Sequence, residues 1–151
     1  ASQGDVMMVR MLLELGADVN AAGENGTALH EAASFGSLNC VEALLEAGAS
    51  VNIKSVDEEL SPIHCAIFGQ SIATVKLLLK TTDIEVPTSL GDTALHVASA
   101  QGALEIVDLL LTEGASTQAR NGEGQTPLEI AREAGEHEVV NLLSRWVMDH
   151  G

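Results

Sequence analysis

The chain has 151 residues, 46% of them apolar, and its only aromatic residues are Phe35, Phe68 and Trp146, so its core must be built from aliphatic side chains, which favours helices. Twenty-two carboxylates against seven Lys and Arg give a formal net charge of -15, which repels phosphate backbones and anionic lipid surfaces. The composition therefore argues against nucleic acid and membranes as partners.

Targeting and redox signals are sparse. No apolar segment approaches the roughly 20 residues of a membrane-spanning helix, and the amino terminus lacks a basic stretch followed by an apolar one. Cys40 and Cys65 have neither the spacing of metal ligands nor that of a disulfide framework. We therefore expect an intracellular protein, cytoplasmic or nuclear, without membrane insertion and with two buried thiols.

Along the chain, two kinds of helical phrase alternate. One has apolar residues at i, i+3 and i+4, on a single helix face, and begins at Val9, Val41, Val75 and Val107, while a fifth copy, Val140-x-x-Leu143, has only the first two of them. The other precedes the last four of these, as Thr27-Ala-Leu-His30, Ser61-Pro-Ile-His64, Thr93-Ala-Leu-His96 and Thr126-Pro-Leu-Glu129. It predicts a helix start, because Ser and Thr cap helices and Pro is favoured at the first helical position.

These phrases, with spacings of 34, 32 and 33 residues, resemble the T-P-L-H-x-A motif of ankyrin repeats. Gly16-Ala-Asp-Val-Asn20 and Gly48-Ala-Ser-Val-Asn52 agree with the resemblance. It implies an all-α solenoid of stacked antiparallel helix pairs with projecting hairpin-like finger loops. We expect one ankyrin repeat domain over 1–151, with a partial repeat at 1–25, repeats at about 26–57, 58–90 and 91–123, and a carboxyl-terminal cap at 124–151. Because the first repeat begins part-way, we also expect a fragment of a longer chain.

The repeat at 58–90 departs from the pattern. Gln70 stands where other repeats have the glycine between the two helices, and Gly69 lies one position early. Thr82 stands where Gly16, Gly48 and Gly114 end their helices. A β-branched residue resists positive φ, so we expect the chain to leave this helix by another route.

Catalytic and metal chemistry is not expected. His30, His64 and His96 recur once per repeat, and neighbours roughly 10 Å apart cannot share one metal ion. We expect each imidazole to tie its helix start to the neighbouring loop. Cys65 next to His64 does not make a nucleophile and base, since adjacent helical side chains point about 100° apart. We therefore predict a protein that is not an enzyme and has no cofactor.

The resemblance also implies where a partner binds. In such proteins, partners contact the finger tips and the exposed pair before the glycine between the helices, and Phe35 and Phe68 fall in such pairs here. Local packing is the alternative explanation for the two rings. The full set of candidate partner-binding residues is Phe35, Phe68, Ser34, Glu24, Asp57, Glu58, Leu60, Leu90, Asp92 and Gln101.

We predict a monomeric protein-protein interaction module that binds a peptide or domain with basic and apolar side chains on its concave and finger surface. One alternative is a substrate-recruiting fragment of a larger enzyme whose catalytic domain lies outside this chain, and another is a structural spacer. Asn20 and Asn52 lie in phrases similar to those modified by the asparaginyl hydroxylase that acts on ankyrin proteins, so both are candidates for hydroxylation. Alternatively, each amide only ties down its loop.

Overall fold

The structure is a computed structural model that describes residues 3–56 and 59–150. Within these ranges the chain forms nine helices and one short antiparallel hairpin. The helices are α1 (Gln3–Glu14), α2 (Ala28–Ser34), α3 (Leu38–Glu46), α4 (Pro62–Phe68), α5 (Ile72–Leu78), α6 (Ala94–Ala100), α7 (Leu104–Thr112), α8 (Pro127–Ala134) and α9 (His137–His150). The hairpin pairs β1 (Ala22–Gly23) with β2 (Gly26–Thr27), with Ala22 opposite Thr27.

The helices belong to two compact units, Ala1–Thr82 and Asp83–Gly151. In the first unit α2 packs against α3 and α4, α4 packs against α5, and α1 packs against α3. In the second unit α6 packs against α7 and α8, and α9 packs against both α7 and α8. Each unit is therefore made of helix pairs that bury their apolar faces against a neighbouring pair. The repeat boundaries given above stay a prediction.

The second helical phrase starts its helices where the sequence predicts. Thr27, Ser61, Thr93 and Thr126 are the N-caps of α2, α4, α6 and α8, each with extended backbone. Pro follows two of them at the first helical position, where no amide proton is needed. At α8 the Thr126 hydroxyl accepts the Glu129 amide proton at 3.3 Å, and a cap of this kind stabilises a helix by about 1 kcal/mol.

The cores of both units are aliphatic. In the first unit the fully buried large side chains include Leu29, Leu44, Ile63, Ile67 and Leu78. In the second unit they include Leu95, Leu110, Leu111 and Leu143. Burial of one such side chain contributes about 1.5 to 3 kcal/mol, and short helices of seven to nine residues depend on that packing because they are not stable alone.

Finger loops connect successive helix pairs, and each closes on itself through a backbone hydrogen bond. The first finger is the β1–β2 hairpin, and the second is closed by the Ser55 amide, which donates to the Leu60 carbonyl at 2.8 Å. The third finger, residues 88–92, is closed by Thr88 donating to Asp92 at 2.9 Å, and the fourth, residues 121–125, by Asn121 donating to Gln125 at 3.0 Å. The hairpin-like character predicted for the loops is present in all four.

Helices α4 and α5 belong to the irregular repeat, and their structure shows why Gly69 stands one position early. Gln70 adopts φ +52, the left-handed conformation that Gly36 and Gly102 adopt at the same register. Gly69 has an ordinary φ of -74, but a Cβ there would overlap the carbonyl oxygen of Ser34 at the end of α2. Gly69 is thus required by the close approach of two helix ends, and Gln70 carries the backbone strain of the turn.

The chain also leaves α5 by a route other than a left-handed turn, as expected. Thr82 has no positive φ; it is buried, and its amide donates to the Leu78 carbonyl at 2.9 Å. Helix α5 has seven residues where α3 and α7 have nine. The helix therefore ends early, and the chain turns away without a left-handed residue at position 82.

Replacing Gln70 with Gly should stabilise the first unit. A non-glycine residue in the left-handed region costs about 1 to 2 kcal/mol, partly offset by the greater flexibility of glycine in the unfolded chain. We expect Gln70→Gly to raise the free energy of unfolding by about 0.5 to 1 kcal/mol in urea titrations. Gly114→Gln is the matched reverse change, because Gly114 has φ +95 and open space where a Cβ would lie, and it should destabilise by a similar amount. A loss of stability in Gln70→Gly would show that the glutamine side chain outweighs the strain.

Candidate functional site

Two buried imidazoles each join the start of a helix to the following finger. In His30, Nδ1 accepts the Thr27 amide proton at 3.1 Å, so Nε2 carries the ring proton and donates to the Leu60 carbonyl at 3.0 Å. His96 repeats this arrangement, with 3.1 Å from the Thr93 amide and 2.9 Å to the Gln125 carbonyl. The structural role predicted for the three histidines is confirmed for His30 and His96. For His64 its first half is present, since Nδ1 accepts the Ser61 amide proton at 3.2 Å.

Burial has a measurable consequence for this arrangement. Desolvation lowers the pKa of His30 below its ordinary value of 6.5, although the carbonyl of Leu60 acts in the opposite direction. Burial likewise raises the pKa of the Cys40 thiol. Cys40 and Cys65 are both buried, and neither forms a disulfide, as predicted. Within residues 3–56 and 59–150, no three His, Cys, Asp or Glu side chains are placed to hold a metal ion.

A second tie runs between neighbouring fingers. Asn20 Oδ1 accepts the Ser50 amide proton at 2.8 Å. The side-chain amide of Asn20 therefore ties down the finger loop, which was the alternative to a role in hydroxylation. Glu85 Oε1 accepts the Ser116 amide proton at 2.8 Å in the second unit. Sequence reasoning missed Glu85, because Val86 aligns with Asn20 and Asn52 in the sequence. Glu85 takes the structural place of Asn20, since the backbone amide of each donates to an Asp two residues earlier. A carboxylate serves here because the position needs only an acceptor.

The two phenylalanines are exposed beside a helix-end contact in the first unit. Phe35 is 77% exposed and Phe68 is 48% exposed. Ser34, which precedes Phe35, lies against Gly69, which follows Phe68, so closely that no Cβ would fit between them. The ends of α2 and α4 therefore bring the two residues to the same edge of the unit. Their rings do not stack on one another, since the only ring stacking in the described part of the chain is that of Trp146 on His150.

The other first-unit candidates differ in exposure. Ser34 and Glu24 are exposed, whereas Leu60 is half-buried and its backbone is engaged by Ser55 and His30. Phe35 also borders an open, mainly apolar groove of about 550 Å³ between α1 and the α2–α3 pair. Asp57 and Glu58 lie outside the described residues.

The remaining candidates belong to the second unit. Leu90 is 71% exposed at the tip of the third finger, and Asp92 is half-buried with Oδ1 accepting from Asn121 Nδ2 at 2.8 Å. Gln101 follows α6, is half-buried, and has a buried side-chain oxygen with no hydrogen-bond partner. Leu90 and Asp92 line one groove together, and Gln101 does not border it.

Sequence reasoning missed an exposed apolar strip that runs along α1 and ends at the residue after it. Its members stand at helical spacing and are all at least 48% exposed, namely Met7, Met8, Met11, Leu12 and Leu15. The signal was available, since three of the four methionines of the chain lie in this segment. The sequence phrase was interpreted only as a core face.

Comparison with known proteins decides the family. The model of ankyrin repeats in three copies matches residues 1–55, 47–121 and 63–149. The chain belongs to the ankyrin repeat family. The all-α fold class predicted from the sequence is thereby confirmed, and ankyrin repeats are modules of protein-protein interaction.

Several ankyrin repeat proteins are similar to this chain. The ankyrin repeat protein YahD of Escherichia coli (strain K12) is 29% identical, over 95% of this chain and 91% of its own length. The B-cell lymphoma 3 protein homolog of Mus musculus is 36% identical, over 80% of this chain and 26% of its length. The NF-kappa-B inhibitor cactus of Drosophila yakuba is 30% identical, over 90% of this chain and 27% of its length. The chain thus spans most of one relative and about a quarter of the other two.

No helix in the described ranges is long and apolar enough to cross a membrane.

The stability of the ankyrin repeats should fall in mild acid because of His30. Its folded pKa is lowered, so below about pH 6.5 the unfolded chain takes up a proton that the folded imidazole resists. The stabilisation is complete above that pH and is lost as pH falls from about 6.5 toward the folded pKa. We expect His30→Gln, which keeps an acceptor and a donor, to flatten the dependence of the unfolding free energy on pH between about 7.5 and 5. Each unit by which the folded pKa is lowered corresponds to about 1.4 kcal/mol of that free energy.

Urea unfolding at a series of pH values measures this slope. The exposed His137→Gln variant controls for the removal of a histidine from the unfolded chain. An unchanged slope in His30→Gln would mean that the acid sensitivity arises elsewhere.

Proposed function

We propose that this chain is a protein-binding module that holds a peptide or domain with basic and apolar side chains against the surface around Phe35 and Phe68. The observation that carries the proposal is the exposure of both rings, 77% and 48%, on either side of one helix-end contact in a chain with only three aromatic residues. Interface hot spots are enriched in large anchors of this kind, so a partner that covers this edge would bury both rings together.

Charge supports the basic character of the partner. Asp5 and Glu31 border the same groove as Phe35, and Asn25 Nδ2 donates to Glu31 Oε1 at 2.8 Å. The whole chain carries a formal charge of -15. Carboxylates around an apolar centre accelerate encounter with a basic partner and disfavour acidic competitors more than they add affinity.

The relatives support binding as the mode of action. Cactus is named as an inhibitor of NF-kappa-B, and 90% of the present chain matches part of it. By analogy we propose an intracellular, monomeric module that acts by occupying a protein surface. The activities of the longer relatives as whole proteins are not transferred to this chain.

Removing both rings should abolish most of the binding but leave the fold intact. Truncation of an aromatic anchor at an interface typically costs about 2 kcal/mol or more. Because Phe35 is exposed and Phe68 half exposed, we expect Phe35→Ala with Phe68→Ala to lower the free energy of unfolding by no more than about 1 kcal/mol. Peptides selected on the wild-type chain from a random display library should bind the double variant at least about tenfold more weakly.

The matched control is Leu15→Ala with Met148→Ala, which removes two apolar side chains of 77% and 84% exposure far along the sequence from the pair. The selected peptides should be enriched in Lys or Arg beside apolar residues, and their affinity for the wild type should fall as salt is added. Unchanged affinity in the phenylalanine variant would move the site elsewhere, and a large loss of stability would make the rings core residues.

We also propose hydroxylation of the finger asparagines, with more of it at Asn52 than at Asn20. Asn52 is exposed, whereas Asn20 is half-buried and its side-chain oxygen is bound by the Ser50 amide. Mass spectrometry after incubation with the asparaginyl hydroxylase that acts on ankyrin proteins would detect the added oxygen. Absence of the oxygen from both residues, or a preference for Asn20, would contradict the proposal.

A further inference from the structure

The second unit carries an open groove of about 560 Å³ between its two fingers and α8. Leu90 and Asp92 contribute from the third finger, Gly122 and Glu123 from the fourth finger, and Ile130 and Glu133 from α8. The volume lies in the range of about 300 to 1,000 Å³ that is usual for pockets holding small ligands. A groove of this size accommodates an extended pair of side chains from a partner.

The walls of this groove are fixed before any ligand arrives. The Gly122 amide donates to the Leu90 carbonyl at 2.8 Å, and Asn121 Nδ2 donates to Asp92 Oδ1 at 2.8 Å. A Cβ at Gly91 would lie only 2.6 Å from the Gly122 nitrogen, so the two finger backbones touch. A ligand therefore does not have to order these loops, which lowers the entropic cost of binding.

The lining combines apolar surface with carboxylates. Leu90 is 71% exposed and Ile130 is half-buried, while Glu123 and Glu133 are exposed acids and Asp92 adds a third. No Lys or Arg lines the groove in the described part of the chain. The three carboxylates therefore face a ligand without a cation among them.

The arginine closest in sequence to the fourth finger is engaged elsewhere. Arg120 Nη1 donates to the Gly124 carbonyl and lies 3.8 Å from Glu129 Oε2, neither of which borders the groove. Asp92 accepts the hydrogen bond from Asn121 through Oδ1. The groove thus presents acceptors on the finger side through Asp92 and Glu123, and on the helix side through Glu133.

We propose that this groove binds an arginine side chain of a partner polypeptide, with the apolar residue that follows it placed on Leu90 and Ile130. The inference rests on the proposed protein-binding function and names a contact for it in the second unit. A planar guanidinium offers five donors and can bridge acceptors on two walls, whereas a lysine ammonium is a compact point charge. The aliphatic stem of arginine also covers apolar surface while its head meets the carboxylates.

The test uses the full chain, labelled with ¹⁵N, and the peptide acetyl-Gly-Arg-Leu-Gly-amide. We expect saturable shifts of amide signals centred on Leu90, Gly122 and Glu133. The same peptide with lysine in place of arginine should bind at least about threefold more weakly, because it cannot bridge both walls. The peptide with glutamate in place of arginine should not bind.

Paired variants separate the groove from the general charge of the chain. Glu123→Gln with Glu133→Gln should raise the Kd at least about fivefold, since both carboxylates line the groove. Glu105→Gln with Glu113→Gln removes the same charge from exposed positions at α7 outside the groove and should change the Kd less than about twofold. Equal effects of the two pairs, shifts centred outside the groove, or equal affinity for the lysine peptide would each overturn the proposal.

The phenylalanine variant keeps the two proposals apart. Phe35→Ala with Phe68→Ala should leave binding of the short arginine peptide unchanged, because neither ring lines the groove. One outcome is that the arginine peptide binds in the groove while the longer selected ligands bind the phenylalanine variant as tightly as the wild type. That result would support the groove proposal and contradict the proposed phenylalanine surface. If the longer ligands need the phenylalanines and the arginine peptide does not bind, the proposed function stands and the groove assignment falls.

Discussion

The hydrogen bond from a buried imidazole to the carbonyl of the next finger is the interaction on which both units depend. A helix of seven residues is too short to be stable alone, and its start lies where the chain leaves an irregular loop. His30 and His96 solve both problems, because one ring nitrogen accepts the amide proton of the N-cap residue and the other binds the carbonyl of the following finger, at Leu60 or Gln125. Buried polar groups paired in this way fix the position of the finger as well as that of the helix.

Fixed fingers explain how a chain of short helices can present a binding surface. The ties from Asn20 to Ser50 and from Glu85 to Ser116 join the bases of neighbouring fingers, and the imidazoles hold their other ends. Exposed residues such as Phe35 and Leu90 are then held by loops and helix ends that are already ordered, so binding a partner costs little conformational entropy. Their identity is free to suit a partner, since none of these ties uses their side chains.

The sequence was sufficient for the period, the helix starts and the buried histidines, because each of these has a local chemical signature. It was not sufficient where two segments distant in the chain come close. Gly69 is required by the carbonyl of Ser34 and not by its own φ, and Gln70 accepts a left-handed turn that its side chain disfavours. The groove of the second unit escaped prediction for the same reason, since Leu90 and Ile130 become neighbours only when finger and helix are placed.

Glu129 shows what the imidazole contributes beyond starting a helix. Its Oε2 accepts the Thr126 amide proton at 2.7 Å, as Nδ1 of His30 accepts that of Thr27, and this bond lowers the pKa of Glu129 below its ordinary 4.5. A carboxylate has no proton to donate, so it starts α8 but cannot bind the carbonyl of a further finger. Both kinds of helix start need a deprotonated acceptor. The contribution of His30 is therefore lost first as pH falls from about 6.5, and that of Glu129 is lost only below about 4.5.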